Sequence, residues 1–158
     1  MTFLTNKKIV FLTKTNWDYY LHPYRTLYAK ELASLGNDVF WINEPTKNPI
    51  KFLFCLFNEP KSKVRRFTPL LLTPTLLHLN SINSAILSLQ LFWICGSLNS
   101  KKTILWSVYC SHYNLIKRYP ESFKIYWPGD LFDIQKEQDI IKAYDLVMPL
   151  SEKSIEEV

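Results

Sequence analysis

The run "KIVFLT" at residues 8–13 constrains this chain more than any other stretch. Past Lys8 it is nearly continuous in apolar residues and does not alternate. That is the pattern of a strand buried on both faces, and such strands belong to parallel sheets covered by helices. The next thirty residues agree. Tyr24, Leu27, Tyr28, Leu32 and Leu35 recur at helical spacing. Gly36 stands where a left-handed C-terminal cap is wanted, and "DVFWIN" (38–43) is a second buried-strand run. A strand, a helix and a strand in this order predict a right-handed parallel crossover.

The middle of the chain is less regular. "PIKFLFCLFNEP" (49–60) reads as a short helix or as an irregular apolar loop, and "VRRFT" (64–68) as a third strand. "LLLTPTLLHL" is broken by Pro74, and 81–98 is apolar nearly all round, which predicts a buried helix. The last third is clearer: "TILWSV" (103–108), "FKIYW" (123–127) and "LVMPL" (146–150) read as strands. Between them "SHYNLIKRYP" and "DIQKEQDIIKAYD" read as helices, with Asp133 and Ser151 as N-caps. Six strands alternating with helices predict an α/β, Rossmann-like doubly wound, mostly parallel six-stranded sheet with helices on both faces. With strand order 3-2-1-4-5-6, the order reverses between strands one and four, and ligands bind at the carboxyl ends there. The loops Lys14–Arg25 and Tyr109–Arg118 then line the crevice.

Composition narrows the classes. A 158-residue chain with 47% apolar residues suits one folded domain and excludes disorder. Three cysteines, Cys55, Cys95 and Cys110, lack metal-ligand spacing and favour reduced thiols in the cytoplasm. The apolar run after Lys8 is shorter than a signal-peptide core. The longest one, "AILSLQLFWICGSL" (85–98), falls short of a bilayer span. Net charge is +5, and the basic excess lies in residues 1–79, largely in Lys47, Lys51, Lys61, Lys63, Arg65 and Arg66. Such a region suits an anionic lipid, a phosphorylated substrate, or a solvated connection. No recognisable nucleic-acid module accompanies it, so no nucleic-acid partner is expected.

The loop after the first strand decides more. Nicotinamide-binding folds need G-x-G-x-x-G there; this loop has no glycine and carries Trp17, Tyr19, Tyr20, His22, Tyr24 and Arg25 instead. From this point "HPYRTLYAKELASLGNDVFWINEP" (22–45) resembles the start of GT-B glycosyltransferases of the family-4-like type. There, a Trp-containing loop follows the first strand, an Arg opens the first helix, and a Pro, here Pro45, ends the second strand. "ILWSVY", "IYWPGDLFD" and "IIKAYDLVMPLSEKS" come next, in the matching order. The last holds the strand-to-helix join Ala143, Asp145, Leu146, Val147 and Ser151. The resemblance spans nearly the whole chain. It implies that 1–158 is the N-terminal, acceptor-side domain. The domain that holds the nucleotide sugar is not among these residues, so the chain is expected to be inactive without it. The implied partners are a nucleotide-sugar donor through that other domain and a glycan or lipid-linked acceptor. The implied location is cytoplasmic, or peripheral at the inner face of a membrane touched through 47–66. The alternative is a non-catalytic binding module, or the partner subunit of a split glycosyltransferase with a separate partner chain.

On this reading particular side chains acquire roles, each beside a plainer one. Arg25 has a fork that matches phosphate oxygens, or marks a solvated helix start. Trp17 and Tyr19 suit stacking on a sugar, or packing over the sheet edge. His22 suits acid/base chemistry or acceptor contact, or a turn before Pro23. His112, just after the fourth strand, is a candidate catalytic base or acceptor contact, or a structural histidine. Asp130 is the second catalytic candidate, and Asp133 suits acceptor contact or a helix cap. Two carboxylates make a poor metal site; neither a metal nor a cofactor is expected.

Overall fold

The computed structural model describes residues 4–13, 15–18, 23–58, 63–71, 81–109, 112–127 and 140–148. Six strands form one parallel sheet: β1 (Lys8–Leu12), β2 (Asp38–Ile42), β3 (Val64–Phe67), β4 (Thr103–Ser107), β5 (Phe123–Tyr126) and β6 (Leu146–Val147). Their order is β3-β2-β1-β4-β5-β6, with every pairing parallel. The doubly wound, Rossmann-like prediction holds, including the reversal between β1 and β4. The missing alternation in β1 has its reason in this layout. Ile9 and Phe11 join the core on one side of the sheet, Val10 and Leu12 the core on the other.

Helix α1 (Pro23–Ser34) covers one side, and α3 (Ser81–Cys95) with the single turn α4 (Tyr113–Ile116) covers the other. Gly36 ends α1 with φ +84°, and its N–H donates to Ala33 O at 3.2 Å. Gly96 ends α3 the same way, at φ +69°. A side chain at either place would be held in the left-handed region.

The segment at 49–60, left open between helix and loop, forms α2 (Pro49–Asn58). Asn48 Oδ1 accepts from the N–H groups of Ile50 (2.9 Å) and Lys51 (3.2 Å), and Pro49 fills the first helical position. Phe52 packs edge-on against Phe67, on the α3 side of the sheet. Ile50, Leu53 and Phe54 stay exposed.

Two helix expectations change. α3 is not buried all round: Leu87, Leu91 and Cys95 face the sheet, whereas Ile82, Leu89, Phe92 and Trp93 are exposed, Trp93 by 84%. A helix lying on a sheet buries only the stripe that faces it, however apolar the rest. The helix expected over 111–120 shrinks to the four residues of α4, because the chain turns at Lys117 and Arg118 and Pro120 disfavours helix before it. The sixth strand is paired over only two residues, Leu146 and Val147. Pro74, Ser151 and residues 133–139 of the helix expected over 133–145 lie outside the described residues, and the described remainder of that helix is helical only at 140 and 141.

Candidate functional site

α1 begins at the carboxyl edge of the sheet, where its first-turn Tyr24 meets Trp127 just past β5, and it sits on the sheet in an unexpected rotation. Its buried residues are Arg25, Ala29, Leu32 and Ala33. The larger apolar residues Tyr24, Leu27, Tyr28 and Leu35 lie exposed on its flanks. The reason is what the sheet presents beneath it. Trp41 of β2, Phe11 of β1 and Trp106 of β4 stand side by side in register. Their rings stack at centroid distances of 5.6 Å (Phe11–Trp41) and 5.0 Å (Phe11–Trp106). Rings this large fill the layer, so the helix face against them must be thin, and alanines supply that.

The row continues at both ends. Trp17 meets Trp41 edge-on at 5.2 Å, and Trp127 lies 5.9 Å from Trp106. Tyr24 and Tyr28 close on Trp127 at 5.5 and 5.4 Å. Trp17 and Trp127 are half-buried, so the row ends in partly open rings at the carboxyl edge of the sheet. Trp17 is held in place from several sides. Its N–H donates to Asn43 Oδ1 at 2.9 Å, and Lys30 and Arg66 stand 5.7 and 5.8 Å from its ring. Asn43 in turn donates to Thr68 Oγ1 at 3.0 Å, which ties the ends of β2 and β3 together.

Arg25 is the unusual member. The solvated helix start is excluded, because the residue is 2% exposed. Its Nε and Nη1 have no hydrogen-bond partner among the described residues, and its Cζ lies 5.6 Å from the Tyr24 ring centroid. Trp106 Nε1, on the same side of the sheet, is likewise buried without an acceptor among them.

His112 lies at the same edge but on the other side. It is buried, and its Nδ1 is 2.9 Å from Ser107 Oγ. Ser107 Oγ already donates to Tyr109 O at 2.9 Å. A hydroxyl has one proton, so Nδ1 donates to Ser107 and carries the ring proton. The histidine is thereby fixed between β4 and the start of α4. Ser107 alternates with Trp106 along the strand, so this pair points away from the α1 face.

The structure therefore brings Trp17 and Arg25 to one face and sets His112 on the opposite one. Tyr19, Tyr20, His22, Cys110, Asp130 and Asp133 lie outside the described residues. Trp41, Trp106 and Trp127 had no role assigned from sequence. The signal available for them is a tryptophan at or just past the end of three different strands. Among the described residues no group of three or more His, Cys, Asp and Glu side chains is placed to hold a metal ion. No helix among them is long and apolar enough to cross a membrane. No protein-family model, curated protein or solved structure matches the chain.

Proposed function

We propose that the chain is the acceptor-binding half of a glycosyltransferase. Sugar passes from a nucleotide-sugar donor to a glycan or lipid-linked acceptor, and the donor is held by a domain outside these residues. The observation that carries the reading is the carboxyl edge of the sheet. The loop where a nucleotide-binding fold has glycines carries Trp17 instead, one end of a row of aromatic rings from several strands that is partly open at Trp17 and Trp127. Flat apolar rings match the C–H faces of a sugar, and the phenolic groups of Tyr24 and Tyr28 add polar edges beside Trp127. The order of strand-end motifs that resembles family-4-like GT-B enzymes supports the same reading. The domain's part in transfer is to position the acceptor hydroxyl.

Saturation-transfer-difference NMR of the chain with a panel of neutral oligosaccharides tests this. Signals are expected from ring protons of at least one sugar. Trp127→Ala is expected to weaken that binding by about threefold to tenfold, the worth of one aromatic stacking contact, with an unchanged far-UV spectrum. A panel without any transferred saturation would overturn the reading.

A further inference from the structure

We propose that the start of α1 binds a phosphoryl group, held by the Arg25 guanidinium together with the backbone amides of the helix's first turn. The inference starts from an uncompensated charge. A guanidinium stays protonated in a protein, and a buried charge without a counter-charge is costly. Arg25 is 2% exposed, yet Nε and Nη1 are unpartnered among the described residues. Its companions on the buried stripe, Ala29, Leu32 and Ala33, are all apolar. Packing alone would be served by leucine or methionine. A fork of donors in this position is matched by an anion with oxygens in a plane.

The helix supplies the second half of the site. α1 is 12 residues long, and Arg25 is its third residue. Side chains on a helix lean toward its N-terminus, so the guanidinium is carried toward the end where amides lack helical acceptors and the dipole is positive. Both positive features belong to the start of α1, at the carboxyl edge of the sheet, the edge where anions bind in such sheets. No carboxylate among the described residues compensates them. Asp18, on the loop before the helix, is directed to Arg66 at 3.9 Å. A phosphoryl group has enough oxygens to engage both fork and amides, and Trp106 Nε1 is a further buried donor on that face. The glycine-free loop fits as well: a guanidinium replaces the backbone cradle that glycines would form.

Which molecule carries the phosphoryl group rests on the transfer reading above: a phosphorylated acceptor, or the diphosphate that leaves the donor. Both present the same oxygens. The test uses the full chain, with calorimetric titration at constant ionic strength. Inorganic phosphate, glucose 1-phosphate and uridine diphosphate are separate titrants. Saturable binding is expected for at least one. Arg25→Met is expected to weaken it at least tenfold. Without anion, the variant should melt at the wild-type temperature or higher, since an uncompensated charge has been removed. A purely structural arginine would instead lower the melting point and leave affinity alone. Lys102→Ala, an equal charge change at the opposite end of the sheet, is expected to bind as wild type. Preference for glucose 1-phosphate assigns the site to an acceptor, and preference for uridine diphosphate to the leaving group. No saturable binding to the wild type, or unchanged affinity in Arg25→Met, overturns the proposal. If Arg25→Met does not fold, Arg25→Lys decides: it keeps the charge and loses the fork, so affinity falls several-fold if the site is right and stays put if it is wrong. Phosphate binding without any sugar binding would leave this site standing and sink the transfer reading.

Discussion

On the α3 side of the sheet, polar groups meet one another at close range. Gln90 accepts from Leu70 N at 2.9 Å and donates to Leu70 O at 2.7 Å, and the Ser88 and Tyr119 hydroxyls lie 2.6 Å apart. On the α1 side, a charged guanidinium and an indole N–H are buried with no acceptor among the described residues. Both sides are closely packed, so burial by itself does not separate them. What separates them is charge: the α1 side covers a guanidinium with no counter-charge among the described residues. Partnered groups hold a fold together. A buried cation left without a partner makes the fold less stable than it need be, and such sites mark places shaped for something else.

Three experiments probe that contrast. The largest effect is expected on the closed side. Leu91 is fully buried between α3 and the sheet, and Leu91→Ala should cost about 2–5 kcal/mol in denaturant unfolding, the range for large cavities in cores. Phosphate affinity of the remaining folded protein should not change. A cost below about 1 kcal/mol would mean that α3 is less firmly seated than its burial implies.

Ser107→Ala should come next. It leaves the His112 Nδ1–H facing a methyl group in a buried site, with an expected loss of about 1–3 kcal/mol. If His112 is a structural histidine, acceptor binding by the folded variant is unchanged. A drop in acceptor binding at constant stability would return His112 to the functional edge.

The smallest effect per step is a pH dependence of the closed side, read per pH unit. Burial pushes the Cys95 thiol from 9.0 up to about 12, against the pull of Lys8 and Arg65 toward lower values. The unfolded chain releases this proton near 9.0, whereas the folded chain holds it until about 12. Above pH 9 the unfolded state therefore binds fewer protons, and stability falls as pH rises. This one group should contribute a slope on the order of 1 kcal/mol per pH unit through that window. Its full contribution is present below pH 9. Cys95→Ala should flatten the slope, and an unchanged slope would show that water reaches the thiol.

The helices show how far residue spacing carries. Helical periodicity located α1 correctly but not its rotation: Leu32 is the only one of the five spaced apolar residues that is buried. Amphipathic spacing ranks residues by hydrophobicity, whereas the aromatic row beneath the helix selected for thinness, and Ala29 and Ala33 won. Arg25 was visible as a candidate by type, but its burial without a partner was not. The opposite faces of Trp17 and His112 were also hidden, because they depend on which side of the sheet each loop leaves.

The strands were determined locally, whereas their order entered the sequence reading only as one arrangement that right-handed crossovers allow. Continuous apolar runs require burial on both faces, and right-handed crossovers leave few ways to arrange six of them. The candidate ligand edge was legible in the absence of glycine after β1 and the abundance of rings there. Only the tertiary structure decided which face of each helix is buried and which polar atoms go unanswered. Both are set by the shape of whatever lies across the interface, and that surface is assembled from residues far apart in the chain.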